Sequence, residues 1–262
     1  MSPLIGLMLA GATLLAVTAM AAEPDAARML APSGTLRAAI NFGNPVLAQR
    51  DRTTGEPRGV SAALARELGQ RLGVPVRFVP YEEAGQVAAA AVQDAWDVAF
   101  LAVDPVRGAT IEFTAPYVLI EGSYVVPPDS KLGSIDAVDQ PGVRICVAAN
   151  SAYDLFLTRA LHHAELIRFA SGGEAEAAFL HGGFDALAGV KQPLAALVRT
   201  HPELRLLPGR FMAIQQAMAV PKSRAVGTPY LRGFVEEMKT SGFVRAALDA
   251  TDQHEAEVAP AE

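Results

Sequence analysis

The stretch DPVRGATIEFTAPYV, residues 104–118, sets an arginine between a turn-forming Asp-Pro and an aromatic-rich segment. A guanidinium presents two parallel N–H donors that match a carboxylate, and in a dry cleft such a charge-assisted pair is short and directional. Arg107 is therefore a candidate anchor for an acid. The alternative is a surface ion pair with Asp104 or Glu112, worth about 0–1 kcal/mol. Other reactive groupings are sparse. Glu82 and Glu83 pair two acids suited to general acid–base work, or to a solvated loop. His162 and His163 follow LTRAL on an expected helix, where adjacent side chains diverge by about 100° and share a metal poorly. Cys146, the only cysteine, reads as a small buried hydrophobe in GVRICVAAN rather than as an activated thiol. Nucleophile-elbow, phosphate-loop and zinc spacings are all missing, so no metal and no cofactor is expected.

The elements that must position these residues alternate. TLRAAIN reads as a strand, and GVSAALARELGQRLG repeats Val60, Leu64, Leu68 and Leu72 at helical spacing. VPVRFVP is a second strand, AGQVAAAAVQDA an alanine-rich helix and WDVAFLAV a third strand. The order then restarts with GVRICVAAN, SAYDLFLTRAL, AELIRFA, SGGEAEAAFLHG, FDALAGV and PLAALVRT. Ser171 and Glu174 have capping-box spacing, and Pro193 is expected to open the last helix. Two β-α-β units in series imply an α/β protein whose parallel sheets are covered by helices, with a cleft between two lobes. Two extended stretches, VLIEGSYVVPPDS and RLLPGRFMAIQQAMAVPKS, cross between the units. They are candidates for a hinge.

The chain of 262 residues is 51% hydrophobic and 19% charged, with a formal charge of −6. It shows no basic face, which argues against a nucleic-acid partner. Leu4 to Val17 form an apolar run shorter than the ~20 residues of a membrane-spanning helix. Ala19-Met20-Ala21 fits a signal-peptidase site with cleavage before Ala22. Residues 1–21 thus read as a signal peptide of an exported protein, with an uncleaved anchor as the alternative. The cleavage site carries no cysteine to take a lipid, so the protein is not expected to be a lipoprotein.

The ordered set SGTLRAAINFGNPV, GVSAALARELGQRLGVPVRFVP, WDVAFLAVDPVRGATIEFTAPY and SGFVRAAL resembles the periplasmic solute-binding proteins of the polar amino-acid type, the receptors of ABC importers. The resemblance runs from about Gly34 to about Ala250. It implies a two-lobed periplasmic-binding-protein fold of type II, each lobe a mostly parallel five-stranded sheet with flanking helices, joined by a two-strand hinge. The implied lobes are residues 33–118 with 213–250, and 119–212, followed by a loose acidic tail, 251–262.

The resemblance also implies roles. Arg107 stands where the family's arginine clasps the ligand α-carboxylate. AANSAYD stands where a Gly-Ser-Thr turn offers backbone amides, so Ser151 and Ala152 are assigned to the ligand, with Ser151 alternatively a plain helix N-cap. Asp104 replaces a ligand-contacting threonine and is expected to orient Arg107. The family's ammonium-binding aspartate is missing: its place falls on Val190 or, with a one-residue shift, Lys191. A ligand ammonium facing Lys191 would be repelled by about 4 kcal/mol at an effective dielectric near 20. Lys191 therefore favours an organic or doubly acidic solute, unless it is only a solvated helix-start charge. From NFGNPV, Phe42 is expected to form an apolar wall and Asn44 an amide contact. The alternatives are a core Phe42 and a turn-capping Asn44. Gln215 and Gln216 lie near enough to the second crossing to reach the cleft.

These readings imply a monomeric periplasmic receptor that binds a small carboxylate and delivers it to the membrane permease of an ABC importer. Two alternatives stay open. One is a lyase of the cyclohexadienyl dehydratase type using Asp104, Glu83 or Glu121; the other is a soluble receptor for a signalling partner.

Overall fold

The computed structural model describes residues 24–262, so the expected signal peptide lies outside the described residues. Helix α1 (Pro24–Leu30) precedes β1 (Leu36–Asn41), and a small hairpin, β2 (Gln49–Arg50) and β3 (Pro57–Arg58), leads to α2 (Val60–Leu72). Strand β4 (Val76–Tyr81), α3 (Ala84–Ala89) and β5 (Val98–Ala102) complete the first unit, and the long strand β6 (Ile111–Val126) leaves it. The second unit runs β7 (Arg144–Ala148), α4 (Ala152–Ala160), β8 (Glu165–Phe169), α5 (Gly172–His181), β9 (Ala186–Val190) and α6 (Lys191–Thr200). The return path is β10 (Arg205–Leu206), β11 (Met212–Pro221), α7 (Thr228–Thr240), α8 (Phe243–Asp249) and β12 (Glu257–Val258).

All the strands except the β2–β3 hairpin belong to one sheet with the order β4-β1-β5-β11-β6-β9-β7-β8. In its first half, β4, β1 and β5 are parallel and β11 runs antiparallel between β5 and β6. In its second half, β8, β7 and β9 are parallel, β9 meets the far end of β6 antiparallel, and β10 pairs with β6 on the other side. Setting aside β12, the first half thus holds β4, β1, β5, β11 and β6, and the second β8, β7, β9, β6 and β10, each with one strand reversed. Strand β6 belongs to both halves, and β11 runs beside it across the junction, paired from Ile111↔Pro221 to Gly122↔Met212.

Burial follows the sequence periods. Val60, Leu64, Leu68 and Leu72 of α2 all face the core, and α2 stops where Gly73 takes a left-handed φ of 68°. The first half packs on both faces of its sheet, around Leu36, Leu64 and Phe234 on one side and Trp96, Val87 and Leu101 on the other. The second half has its own pair of cores, around Tyr124 and Ile145 and around Cys146 and Phe179. Burial pushes the Cys146 thiol up to about 12, consistent with its reading as an inert hydrophobe.

Several local expectations change. The alanine-rich helix is cut short, becoming a 3-10 turn at Ala90–Gln93 that ends on Asp94 in a left-handed conformation. Helix α6 begins at Lys191, two residues before Pro193. The two adjacent histidines lie beyond the end of α4, because Asp139 gathers the backbone N–H groups of His162, His163 and Ala164 at 2.8–2.9 Å. The segment expected to be a loose tail is docked. Strand β12 pairs with Val118 and Leu119 of β6, Ala256 and Ala259 are buried, and the Ala259 N–H reaches the Tyr117 carbonyl at 3.1 Å. The buried Lys239 ammonium donates to the Pro260 carbonyl at 2.9 Å, and Arg245 donates to the carbonyls of Gln253 and Ala256. The acidic composition hid a segment whose backbone finds a free strand edge and whose small residues fit beneath it.

Two predictions follow from this packing. Hydrogen bonds from Ala164, His162 and His163 hold the Asp139 carboxyl at about 2, below its ordinary 3.8. A group depressed in this way contributes stability that is full above 3.8 and lost as the pH falls through about 2. Asp139→Asn should therefore lower the melting temperature at neutral pH, and the gap to the native protein should close as the pH drops from about 4 towards 2. A gap that persists in acid would refute that linkage. Deleting residues 251–262 should lower the melting temperature by several degrees at neutral pH, since it bares the β6 edge and an apolar seam. An unchanged melting curve would show that the docked tail adds no stability.

Candidate functional site

Strand β5 ends at Ala102, and a turn built on Asp104 aims the next side chains. The Asp104 carboxylate accepts from the Val106 N–H at 2.8 Å, and its backbone carbonyl accepts from the Gly108 N–H at 2.8 Å. This turn sends Arg107 inward, leaving it only 4% exposed. The alternative, a bridge to Asp104 or Glu112, is not formed because these acids have other partners: Asp104 pairs with Arg159 at 2.7 Å and Glu112 with Arg232 at 3.0 Å. Among the described residues Arg107 bonds only to carbonyls, that of Ala102 at 3.1 Å and that of Asn150 at 3.0 Å, while its buried Nε meets no partner. Burial lowers its pKa to about 10, against the opposing pull of Asp104, so the guanidinium is still a cation at neutral pH. A buried charge with an unfilled donor is an unfavourable arrangement until an anion joins it.

The space beside Arg107 is a cavity of about 40 Å³ lined from both halves of the sheet. Asn41, Asn44, Glu83 and Gln216 contribute from the first half, and Ser151, Ala152, Tyr153 and Val190 from the second. A groove of about 280 Å³ lies beside it, between Phe42 and Pro45 on one side and Gly172 and Gly189 on the other. Gly43, Glu83, Tyr153 and Val190 border both spaces.

The second half reaches the cavity through the start of α4. Asn150 holds a left-handed φ of 59°, a conformation asparagine tolerates, which accounts for its standing where the family resemblance expects glycine. Its carbonyl is thereby turned to Arg107. Ser151 is the N-cap of α4, its Oγ accepting from the Asp154 N–H at 3.0 Å, and both Ser151 and Ala152 line the cavity. The two halves touch closely here: a Cβ on Gly85 would lie 2.7 Å from that of Asn150. Among the described residues, three polar contacts cross the cleft, namely Arg107 to the Asn150 carbonyl, Arg159 to Asp104, and the Gly172 N–H to Glu83 at 3.1 Å.

Some sequence candidates lie elsewhere. Lys191 does not line the Arg107 cavity. Its ammonium contacts Glu121 at 2.5 Å beside the hinge, and Arg210 holds the other oxygen of the same carboxylate at 3.1 Å. Val190, one residue earlier, faces the cavity instead. Phe42 lines the outer groove rather than the cavity, with the Arg50 guanidinium 3.9 Å over its ring. Asn44 both lines the cavity and shapes its turn, its side-chain oxygen accepting from Val46 at 3.3 Å. Asp104 is not a wall of the cavity; it shapes the turn that carries Arg107 and binds Arg159. Gln216 is buried and faces the cavity while Gln215 points outward, as strand alternation requires.

One wall residue, Tyr153, carried little sequence signal, and another, Glu83, was named only for acid–base chemistry. Tyr153 is packed against Ser151, and burial pushes its phenol up to about 12. Glu83, one of the two adjacent acids, is half-buried with its pKa raised, chiefly by that burial. Its neighbour Glu82 turns away to Arg50. Among the acids named for catalysis, Asp104 and Glu121 are bound by cations of the protein, and only Glu83 lines the cavity. Among the described residues no cluster of His, Cys, Asp and Glu could hold a metal ion, and no helix is long and apolar enough to cross a membrane.

The fold is shared with many solved structures. The solute receptors for L-cysteine of Neisseria gonorrhoeae are 24% identical with a TM-score of 0.74, over 86% of this chain and 92% of that one. A mutant of ArgBP from T. maritima is 20% identical with a TM-score of 0.73, over 87% and 99%. The ancestral amino acid-binding protein AncCDT-1, described as a precursor of cyclohexadienyl dehydratase, is 22% identical with a TM-score of 0.69, over 84% and 96%. No curated protein sequence matches the chain. At these identities the structural likeness establishes the fold, a two-lobed α/β architecture of the type II periplasmic-binding kind. The family itself is shown by residues 36–250, which match its sequence pattern: the chain belongs to the bacterial extracellular solute-binding proteins, family 3.

Proposed function

We propose that this protein is the solute receptor of an ABC importer and captures a small carboxylate-bearing solute, an amino acid or organic acid, between its lobes. One lobe comprises residues 33–118 with 213–250, the other 119–212, and β6 and β11 form the hinge. The observation that carries the reading is Arg107: a buried cation beside a cavity, bonded only to carbonyls, with its Nε donor unfilled. A carboxylate entering that cavity meets a planar donor group and relieves an unpaired charge. The start of α4 faces the same space, so the solute touches both lobes and favours their closure. The receptor works as an exported monomer that hands its solute to a membrane permease, and no turnover is part of this role.

Arg107→Ala should abolish the thermal stabilisation produced by the best solute in a screen of amino and organic acids. Calorimetry should show affinity falling by roughly a hundredfold or more, the scale expected when one partner of a buried charge pair is removed. Near-native affinity in that variant would disprove the anchor. Lys191→Ala, in contrast, should leave solute affinity within about threefold of the native value, since its partner is Glu121 and not the solute. A large loss there would place the solute at the hinge instead.

A further inference from the structure

We infer that Arg159 and Arg107 are alternative partners of Asp104, and that this exchange makes solute binding depend on the two halves being together. The inference rests on the reading of Arg107 as the carboxylate anchor and adds a release device to it. The hydrogen bond from the Gly108 N–H to the Asp104 carbonyl closes one helical turn, which sets Asp104 and Arg107 three residues apart on a shared face. At that spacing a carboxylate and a guanidinium are natural partners, and the Asp104 charge already acts on Arg107 across the turn. The pair nonetheless stays unmade. One Asp104 oxygen accepts from the Val106 N–H at 2.8 Å, and the other is held by Arg159 at 2.7 Å.

Arg159 comes from the opposite half, in the last turn of α4. Among the described residues its bond to Asp104 is the only ion pair between the two lobes. Asp104 is buried, whereas the Arg159 side chain is 43% exposed. Separation of the halves returns Arg159 to water and leaves Asp104 without its cation. The cation that remains beside it on the same turn is Arg107, whose Nε has no partner and whose bond to the Asn150 carbonyl is broken by the same movement. Asp104 then competes with a bound carboxylate for one planar donor group and helps to displace it. With the halves together Arg159 holds Asp104 away, and Arg107 is left for an anion. This exchange gives a use to the aspartate that stands where the family resemblance expects a threonine.

The test uses R159A, R159K, D104N, the double variant R159A/D104N and R107A. Asparagine at position 104 keeps an acceptor for the Val106 N–H but removes the charge. Calorimetry with L-alanine, L-glutamate, L-lactate and succinate gives affinities, and the tightest of the four is compared across the variants. R159A should lose roughly tenfold or more, and R159K should recover most of that loss. D104N should lose less than R159A, and the double variant should bind within about threefold of D104N. A contact that only braces the halves predicts instead equal losses in R159A, D104N and the double variant. A second measurement needs no solute: the Arg107 Nε–H signal in the NMR spectrum of isotope-labelled arginine, assigned by its loss in R107A. That signal should move downfield in R159A as it meets Asp104, and return in R159A/D104N. An unmoved signal, or a double variant as weak as R159A, would overturn the exchange while leaving Arg107 in place. Retained binding in R107A would instead remove the anchor beneath it, and failure of the native protein to bind any of the four acids would remove both.

Discussion

The structure depends on keeping one guanidinium dry without giving it an acid. Arg107 sits where β5 ends, at the line along which the two halves of the sheet face each other. Burying a cation that could otherwise be hydrated is unfavourable by several kcal/mol in real proteins, and proteins usually offset it with a carboxylate. Here the available carboxylates are diverted. Asp104 lies three residues away but spends one oxygen on its own turn and the other on Arg159. Glu112 points to Arg232. The guanidinium is left with two carbonyls and a lowered pKa. Such an arrangement persists only if the surrounding fold enforces it, and its unmet interaction is available to an incoming anion.

That enforcement is built from strand geometry. Ala102 pairs with Gln216, so the carbonyl that holds Arg107 and the amide side chain that walls the cavity are fixed by one rung between β5 and β11. The same β11 runs alongside β6 through the narrow region joining the halves. Movement of one half against the other must bend these two strands. The docked β12 adds a third strand at Val118 and Leu119, near the middle of that region. The Lys191–Glu121–Arg210 cluster grips β6 two residues farther on. The hinge is therefore braced by contacts on both sides and is not a free linker.

The alternation of strands and helices was legible because burial follows periods of two and near four residues, as in Val60, Leu64, Leu68 and Leu72. Arg107 was legible because a lone cation beside an aromatic-proline segment has few structural uses. What failed to show was register. Val190 and Lys191 differ by one position, yet β9 ends and α6 begins between them, so one faces the cavity and the other the hinge. Gln215 and Gln216 pose the same problem, which only the pairing of β11 resolves. Glu83 was legible as an acid that could serve the cleft, but not as distinct from Glu82: two neighbouring acids in a loop look alike until one is seen drawn to the start of α5 of the opposite half. The tail escaped for a similar reason: its partner strand lies about 140 residues earlier in the chain.

The three contacts across the cleft bear on how a receptor of this kind responds to its solute. Arg107, Arg159 and the Gly172 amide bind groups of the opposite half. Separating the halves would break all three contacts, so they favour the arrangement seen here. Arg107 can serve both purposes together. A guanidinium has five N–H donors, and the carbonyls of Ala102 and Asn150 occupy two of them. Three are left, including the buried Nε, so a carboxylate can be clasped without releasing Asn150. Because the bond that draws the halves together survives when the solute binds, the two interactions reinforce each other through one rigid planar group. A lysine at this position would have a single tetrahedral head with three donors and could not offer a second planar face. That geometry, more than the charge itself, is why the position calls for arginine.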